Sequence, residues 1–169
     1  MSNFIKILPE ELCVNFFDLL NNHWALITTP SPDGFNTMTA SWGGTGILWN
    51  KPVAFIFIRP QRYTYELIEN DNTFTLSFLS DKYKKELGYC GKVSGRDEDK
   101  IKECGFNVKT TENGSFIDEA EIAITCKKLY FGDILKSGFV DETLLSNYKD
   151  DDFHRMYIGE ITGVYVKDK

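Results

Sequence analysis

The run Pro52-Val53-Ala54-Phe55-Ile56-Phe57-Ile58 restricts the fold of this chain more than any other stretch. It is continuous in apolar residues, rich in β-branched and aromatic side chains, and too short for an ordinary helix. Such a run reads as a strand buried on both faces, as in a barrel or at an interface. Its neighbours also read as sheet. Trp24 to Thr29 is rich in strand formers, Pro30-Ser31-Pro32-Asp33-Gly34 is turn chemistry, and Phe35 to Trp42 reads as the returning strand of a hairpin with a long turn. Gly43-Gly44-Thr45-Gly46 is expected to break the regularity before the apolar run. Phe74 to Leu79 alternates as a half-buried strand should. Ile122 to Phe131 and Met156 to Val166 supply late strands, with Gly159 and Gly163 marking bulges or a close backbone approach.

Helical signals are short and peripheral. Leu8-Pro9-Glu10-Glu11 opens an amphipathic pattern through Leu12, Phe16, Leu19 and Leu20, so residues 1–22 are expected to form a helical extension. Thr64 to Glu69 and Lys82 to Leu87 suggest further helical turns. Ser94-Gly95-Arg96-Asp97 resembles an N-cap, with Gly105 placed to end a helix over Glu98 to Cys104. Strands outnumber helices and no βαβ rhythm appears, which predicts a mainly β fold: a β-barrel with peripheral helices. At 169 residues and 42% hydrophobic content, one domain over 1–169 is expected.

The net charge of −6 and the absence of a basic block argue against nucleic acid or an anionic membrane surface as partner. The start Met1 to Lys6 lacks the pattern of a secretory leader, and no run nears the roughly 18 apolar residues needed to span a bilayer, so a cytoplasmic protein is expected. Cys13, Cys90, Cys104 and Cys126 are scattered without metal-ligand spacing. They read as free thiols, Cys90 among them as a buried structural one, and no metal site is expected. The glycine-rich dinucleotide motif, the P-loop and the hydrolase elbow are absent, so any NAD(P)H must bind without a Rossmann domain. Asp150-Asp151-Asp152 reads as a solvated loop.

Three segments carry chemistry. Met38-Thr39-Ala40-Ser41-Trp42 offers small side chains, approachable amides, two hydroxyls and one large aromatic. Arg59-Pro60-Gln61-Arg62-Tyr63-Thr64 places two guanidinium forks and a hydroxyl at a helix start, a set that suits a dianionic phosphate. Ser94 and Gly95 offer backbone amides, and Lys100 can face negative charge; the same residues also read as a plain capped helix. His154 precedes the last strand, where a site role and an ordinary loop position both stay open.

In type and order, the Met-Thr-Ala-Ser stretch, the proline-led apolar strand, Arg-Pro-Gln-Arg-Tyr-Thr and Ser-Gly-Arg-Asp resemble the flavin reductase-like family of FMN-binding split barrels, especially its flavoredoxin-type branch. The resemblance runs from about Trp24 to the final strand. It implies an FMN-binding split β-barrel, normally a homodimer with flavin near the interface. It implies cofactor-binding roles for Met38, Thr39, Ala40, Ser41 and Trp42 at the ring and ribityl chain, and for Ser41, Arg59, Arg62 and Thr64 at the phosphate. Ser94, Gly95 and Lys100 are placed close to the flavin. The ring performs the chemistry, so no side chain is expected as catalytic acid or base. The expected function is an FMN-dependent oxidoreductase moving electrons between NAD(P)H or a redox protein and an acceptor. The alternatives are a flavoredoxin-like electron carrier and a flavin-binding sensor without turnover.

Overall fold

Strand pairing extends far beyond the local hairpins that the sequence shows. The computed structural model describes residues 3–168; Met1 and Ser2, which open the segment read for a leader, and Lys169 lie outside the described residues. The chain forms β1 (Phe4–Ile7), β2 (Ala25–Ser31), β3 (Gly34–Ala40), β4 (Gly43–Leu48) and β5 (Lys51–Ile58). It continues with β6 (Thr73–Phe78), β7 (Val108–Thr111), β8 (Gly114–Ile117), β9 (Ile122–Asp133) and β10 (Arg155–Lys167). The helices are α1 (Phe16–Asp18), α2 (Tyr63–Asn70), α3 (Lys84–Lys92) and α4 (Lys100–Glu103).

Eight strands make one antiparallel sheet in the order β3-β2-β6-β9-β10-β5-β4, with β1 paired to β10; β7 and β8 form a separate hairpin. Met38 of β3 and Ala54, Ile56 and Ile58 of β5 come from opposite ends of that order. They nevertheless share one core with Phe74, Leu76, Phe78, Ile124 and Tyr157. The sheet therefore curls until its two ends face a common interior, which matches the barrel expected from sequence. A second core on the outer face joins Leu26, Leu87, Cys90, Phe106, Phe116 and Tyr165. Each fully buried aliphatic or aromatic side chain contributes about 1.5–3 kcal/mol.

The double burial expected of β5 belongs instead to β2 and β6. In β5, Ala54, Ile56 and Ile58 are interior, but Phe55 and Phe57 are only half-buried. In β2, Ala25 and Ile27 face the inner core while Leu26 faces the outer one. β6 is not half-exposed as its alternation implied, because the β7–β8 hairpin covers its polar face. There Thr75 Oγ1 donates to the Ser115 carbonyl at 2.9 Å and Ile117 N donates to Ser77 Oγ at 3.2 Å.

The expected break at Gly43 to Gly46 is a regular strand, β4, joined to β5 by Trp49 and Asn50, both left-handed (φ 53° and 58°) as a two-residue hairpin turn requires. Gly43 and Gly44 answer to packing: a methyl group at Gly43 would fall 2.6 Å from the Phe55 carbonyl oxygen. The β2–β3 turn is also tighter than expected, since pairing continues to Ser31 opposite Gly34. At Gly159 and Gly163 the β9–β10 register shifts, as read from sequence, and a methyl group at Gly159 would meet the Phe74 ring at 2.7 Å.

Residues before β2 do not form one helix. After β1, Pro9–Glu11 makes a 3-10 turn that Glu11 closes on the Leu8 amide at 2.7 Å, and residues 12–15 form no helix. Asn15 then caps α1 by accepting from Phe17 N and Asp18 N, and Leu19–His23 continues as a π-helical turn. An Asn at this position competes for backbone amides and restarts the helix rather than continuing it. Similarly, Asp99 and not Ser94 caps α4, which begins at Lys100; Gly105 ends it in the left-handed region.

Candidate functional site

Strand register places the chemistry. β5 and β10 pair with Ile58 opposite Arg155, so Arg59, leaving β5, and His154, entering β10, emerge side by side. The curl of the sheet brings the end of β3 and the Ser41-Trp42 link to the same place. Met38 to Trp42 form one wall of a cavity of about 200 Å³, and Phe57, Arg59, Arg62 and His154 form the other. Through Ser41 and Trp42 the cavity adjoins a larger groove of about 790 Å³, lined by Phe16, Phe17, Leu20 and Phe55. A small polar chamber thus meets a broad apolar one. β3 pairs only with β2 within the sheet, so its other edge leaves alternate amides outside the ladder.

The two arginines are not the free forks expected from sequence. Arg59 Nη1 is hydrogen-bonded to Asp152 Oδ2, its Nη2 donates to the Asn147 carbonyl at 2.9 Å, and its guanidinium lies 5.1 Å from the Tyr148 ring centre. Gln61 Nε2 donates to the same Asp152 oxygen at 2.7 Å. Asp150 to Asp152 is therefore not simply a solvated cluster. Burial alone would push the Asp152 carboxyl up, but the bonds from Arg59 and Gln61 outweigh it and hold the group below its usual range. Arg62 is held differently: Nη1 donates to the Gly91 carbonyl at 2.7 Å and Nη2 to that of Cys90 at 3.3 Å. Its partners are neutral, so its positive charge stands uncompensated, and burial lowers its pKa.

His154 is buried in the wall, and its ring centre lies 5.1 Å from that of Trp42. Its Nδ1 lies 2.9 Å from the Tyr148 hydroxyl. Burial first, and then the charge of Arg59, lower its pKa to about 4, so the imidazole is neutral at physiological pH.

Of the sequence-derived residues, Met38, Thr39, Ala40, Ser41, Trp42, Arg59 and Arg62 line this one cavity. The other four do not. Thr64 is buried, and its hydroxyl accepts from Asn36 Nδ2 at 2.8 Å. Gly95 and Lys100 line a separate depression with Asn36 and Tyr63, and Ser94 caps its own turn by accepting from Arg96 N at 3.2 Å. Lys100 is buried and donates to the Cys90 carbonyl at 3.3 Å, the same oxygen that Arg62 holds; burial and then the Arg62 charge bring its pKa down to about 8. Cys90 is buried as expected, its thiol pushed up to about 12 by burial and then by the neighbouring Cys104. Thr39 spends its hydroxyl proton on the Leu87 carbonyl.

Phe57, Tyr148 and Asp152 gave no sequence signal for this site, and that for His154 was ambiguous. Asp152 lies 93 residues from Arg59, and no periodicity links such positions. Among the described residues, no helix is long and apolar enough to cross a membrane.

The arrangement has known counterparts. A family model described as "Flavin reductase like domain" matches residues 17–169. An uncharacterized protein of Aeropyrum pernix is 28% identical over 120 residues; the match covers 69% of this chain and 39% of that protein, so the chain corresponds to well under half of that curated relative. Among solved structures, flavoredoxin of Desulfovibrio vulgaris is 27% identical with a TM-score of 0.66, covering 85% of this chain and 68% of that one. An FMN-binding domain of a flavin reductases-like enzyme from Shewanella baltica is 16% identical with a TM-score of 0.68, covering 98% and 78%.

Proposed function

Because this chain belongs to the flavin reductase-like family of FMN-binding domains, we propose that it is an FMN-dependent oxidoreductase that passes electrons from NAD(P)H or a redox protein to an acceptor. The observation that carries this reading is the junction of the small chamber, walled by Met38 to Trp42 with Arg59 and Arg62, and the apolar groove beyond Trp42. The chamber of about 200 Å³ is smaller than the roughly 300–1,000 Å³ of ordinary ligand sites, but the adjoining groove supplies the missing space. The donor set fits the cofactor: cations for a phosphate, the Ser41 hydroxyl, edge-strand amides for a polar ring edge, and aromatic cover for a flat face. Bound flavin supplies the electron chemistry. The chain's own residues bind and orient it and exclude water; no side chain is assigned as acid or base. Within this reading Arg62 and Arg59 hold the phosphate, whereas the Thr64 hydroxyl is bound to Asn36 outside the chamber.

A flavoredoxin-like carrier is the second reading, supported by the likeness to the Desulfovibrio vulgaris protein and, weakly, by the net charge of −6. The visible spectrum of the purified protein, before and after FMN and then NAD(P)H without oxygen, tests both. Bound flavin that bleaches with NAD(P)H supports the reductase, bound flavin that bleaches only with a ferredoxin-like donor supports the carrier, and failure to bind added FMN sinks the flavin reading. We further propose a homodimer, because Ile47, Trp49, Tyr130 and Phe131 are exposed and Trp49 packs 6.2 Å from Tyr130 at the surface. A monomer by light scattering at micromolar concentration would contradict it.

A further inference from the structure

The segment between β9 and β10 holds one of the chamber's two cations through three groups. Asn147 offers a carbonyl to Arg59, Tyr148 lays its ring beside the guanidinium, and Asp152 supplies a carboxylate. The Arg59 and Asp152 side chains are only 27% and 18% accessible, so the pair is poorly screened by water. Asp152 is itself incompletely satisfied. Its Oδ2 takes both donors, while Oδ1 is one of two buried side-chain polar atoms without a hydrogen-bond partner among the described residues. A carboxylate with one buried oxygen unpartnered is a costly group to keep where it sits. Arg62, three residues on, contributes to the same chamber, its head donating to two carbonyls and to no carboxylate among the described residues.

We propose that Asp152 is a specificity-determining residue, an internal anion that shares Arg59 with the phosphate of the ligand and thereby sets how strongly the site prefers a phosphorylated flavin to an unphosphorylated one. This rests on the flavin reading above. A phosphate entering the chamber meets one uncompensated cation, Arg62, and one whose charge is already cancelled. It must share Arg59 with Asp152 or displace it, and the attraction for a dianion is reduced accordingly. Riboflavin, which lacks the phosphate, is indifferent to the pair. Asp152 acts through Arg59 and need not touch the ring.

The test is titration of wild type, Asp152→Asn and Asp152→Glu with FMN and with riboflavin, with melting curves to show that each variant is folded. Asp152→Asn keeps an oxygen to accept from Arg59 and Gln61 but removes the charge. It is expected to tighten FMN about tenfold, the scale of one charge-assisted hydrogen bond, and to leave riboflavin within about twofold. Asp152→Glu, which restores the charge, is expected to behave as wild type. FMN binding that is unchanged or weaker in Asp152→Asn would overturn the proposal and make Asp152 a mere support for Arg59. If wild type binds neither flavin, the flavin reading fails on its own, and inorganic phosphate becomes the probe. A larger phosphate-induced rise in melting temperature in Asp152→Asn than in wild type would then uphold the shared anion seat, and equal rises would overturn it.

Discussion

Arg59 and Arg62 stand three residues apart in one wall of one chamber, yet they are different electrostatic objects. Arg59 is held by a distant segment that brings its own carboxylate, so the pair adds little net charge to the cavity. Arg62 is held by the last turn of α3 through two carbonyl oxygens, and its charge remains. The surroundings follow the same division. On the Arg59 side His154 and Asp152 both have lowered pKa values and respond to acid. On the Arg62 side Lys100 titrates near pH 8 and responds to alkali. Residue type alone does not tell how much field a cation presents to a ligand; the charge of its holder decides.

The largest expected effect separates the two arginines directly. Arg62→Ala should weaken FMN by about 2–3 kcal/mol, whereas Arg59→Ala should cost about 1 kcal/mol because its charge is already shared, and neither should much affect riboflavin. Equal losses in fluorescence titrations would erase the distinction. A somewhat smaller effect concerns acid. Unfolded His154 takes its proton near pH 6.5 and the folded one near pH 4, so the unfolded chain binds more protons between these values. Its contribution is complete above about pH 6.5 and is lost as pH falls toward 4. His23 is raised, mainly by its bond to Asp81, and pulls the other way: its contribution holds at low pH and fades as pH rises. Denaturant melts of wild type and His154→Asn should differ in acid slope by about 2 kcal/mol across that window; parallel slopes would show that the imidazole is not held neutral. The smallest effect is at Lys100. Its folded pKa near 8 lies below the ordinary 10.5, so below pH 8 the fold bears the cost of a buried charge, and that cost disappears as pH rises from 8 to 10.5. Lys100→Met should therefore stabilise the protein at pH 7 by about 1 kcal/mol net of the lost bond to Cys90, with the gain shrinking toward pH 10.5. Destabilisation at pH 7 would mean that the Cys90 bond outweighs the burial of charge.

Much of the fold was legible because strand signals are local. The β2–β3 hairpin, the apolar β5, the late β9 and β10 and the two glycine bulges all follow from period, turn chemistry and missing side chains. The errors have a common cause. β4 was read as a break because Gly43 and Gly44 look like turn residues, while their reason is the Phe55 backbone and ring pressed against them. β6 was read as half-exposed because its Thr and Ser alternate with Phe and Leu, while the cover comes from a hairpin some 40 residues later. The helix before β2 was read as one piece because apolar spacing outweighed the competing cap at Asn15.

For the site, the sequence by itself determined which residue types meet a ligand of this kind: a small-residue strand end with hydroxyls and a tryptophan, and two arginines after a buried strand. Those are consecutive positions, and neighbours along a strand or turn stay neighbours in space. Only the tertiary structure decided that seven of the eleven named residues share one chamber, that Thr64, Ser94, Gly95 and Lys100 stand outside it, and that Asp152 and His154 complete its electrostatics. The physical reason is that sheet register and curl bring together positions far apart in the chain, and the charge a side chain presents depends on the partner that this folding delivers.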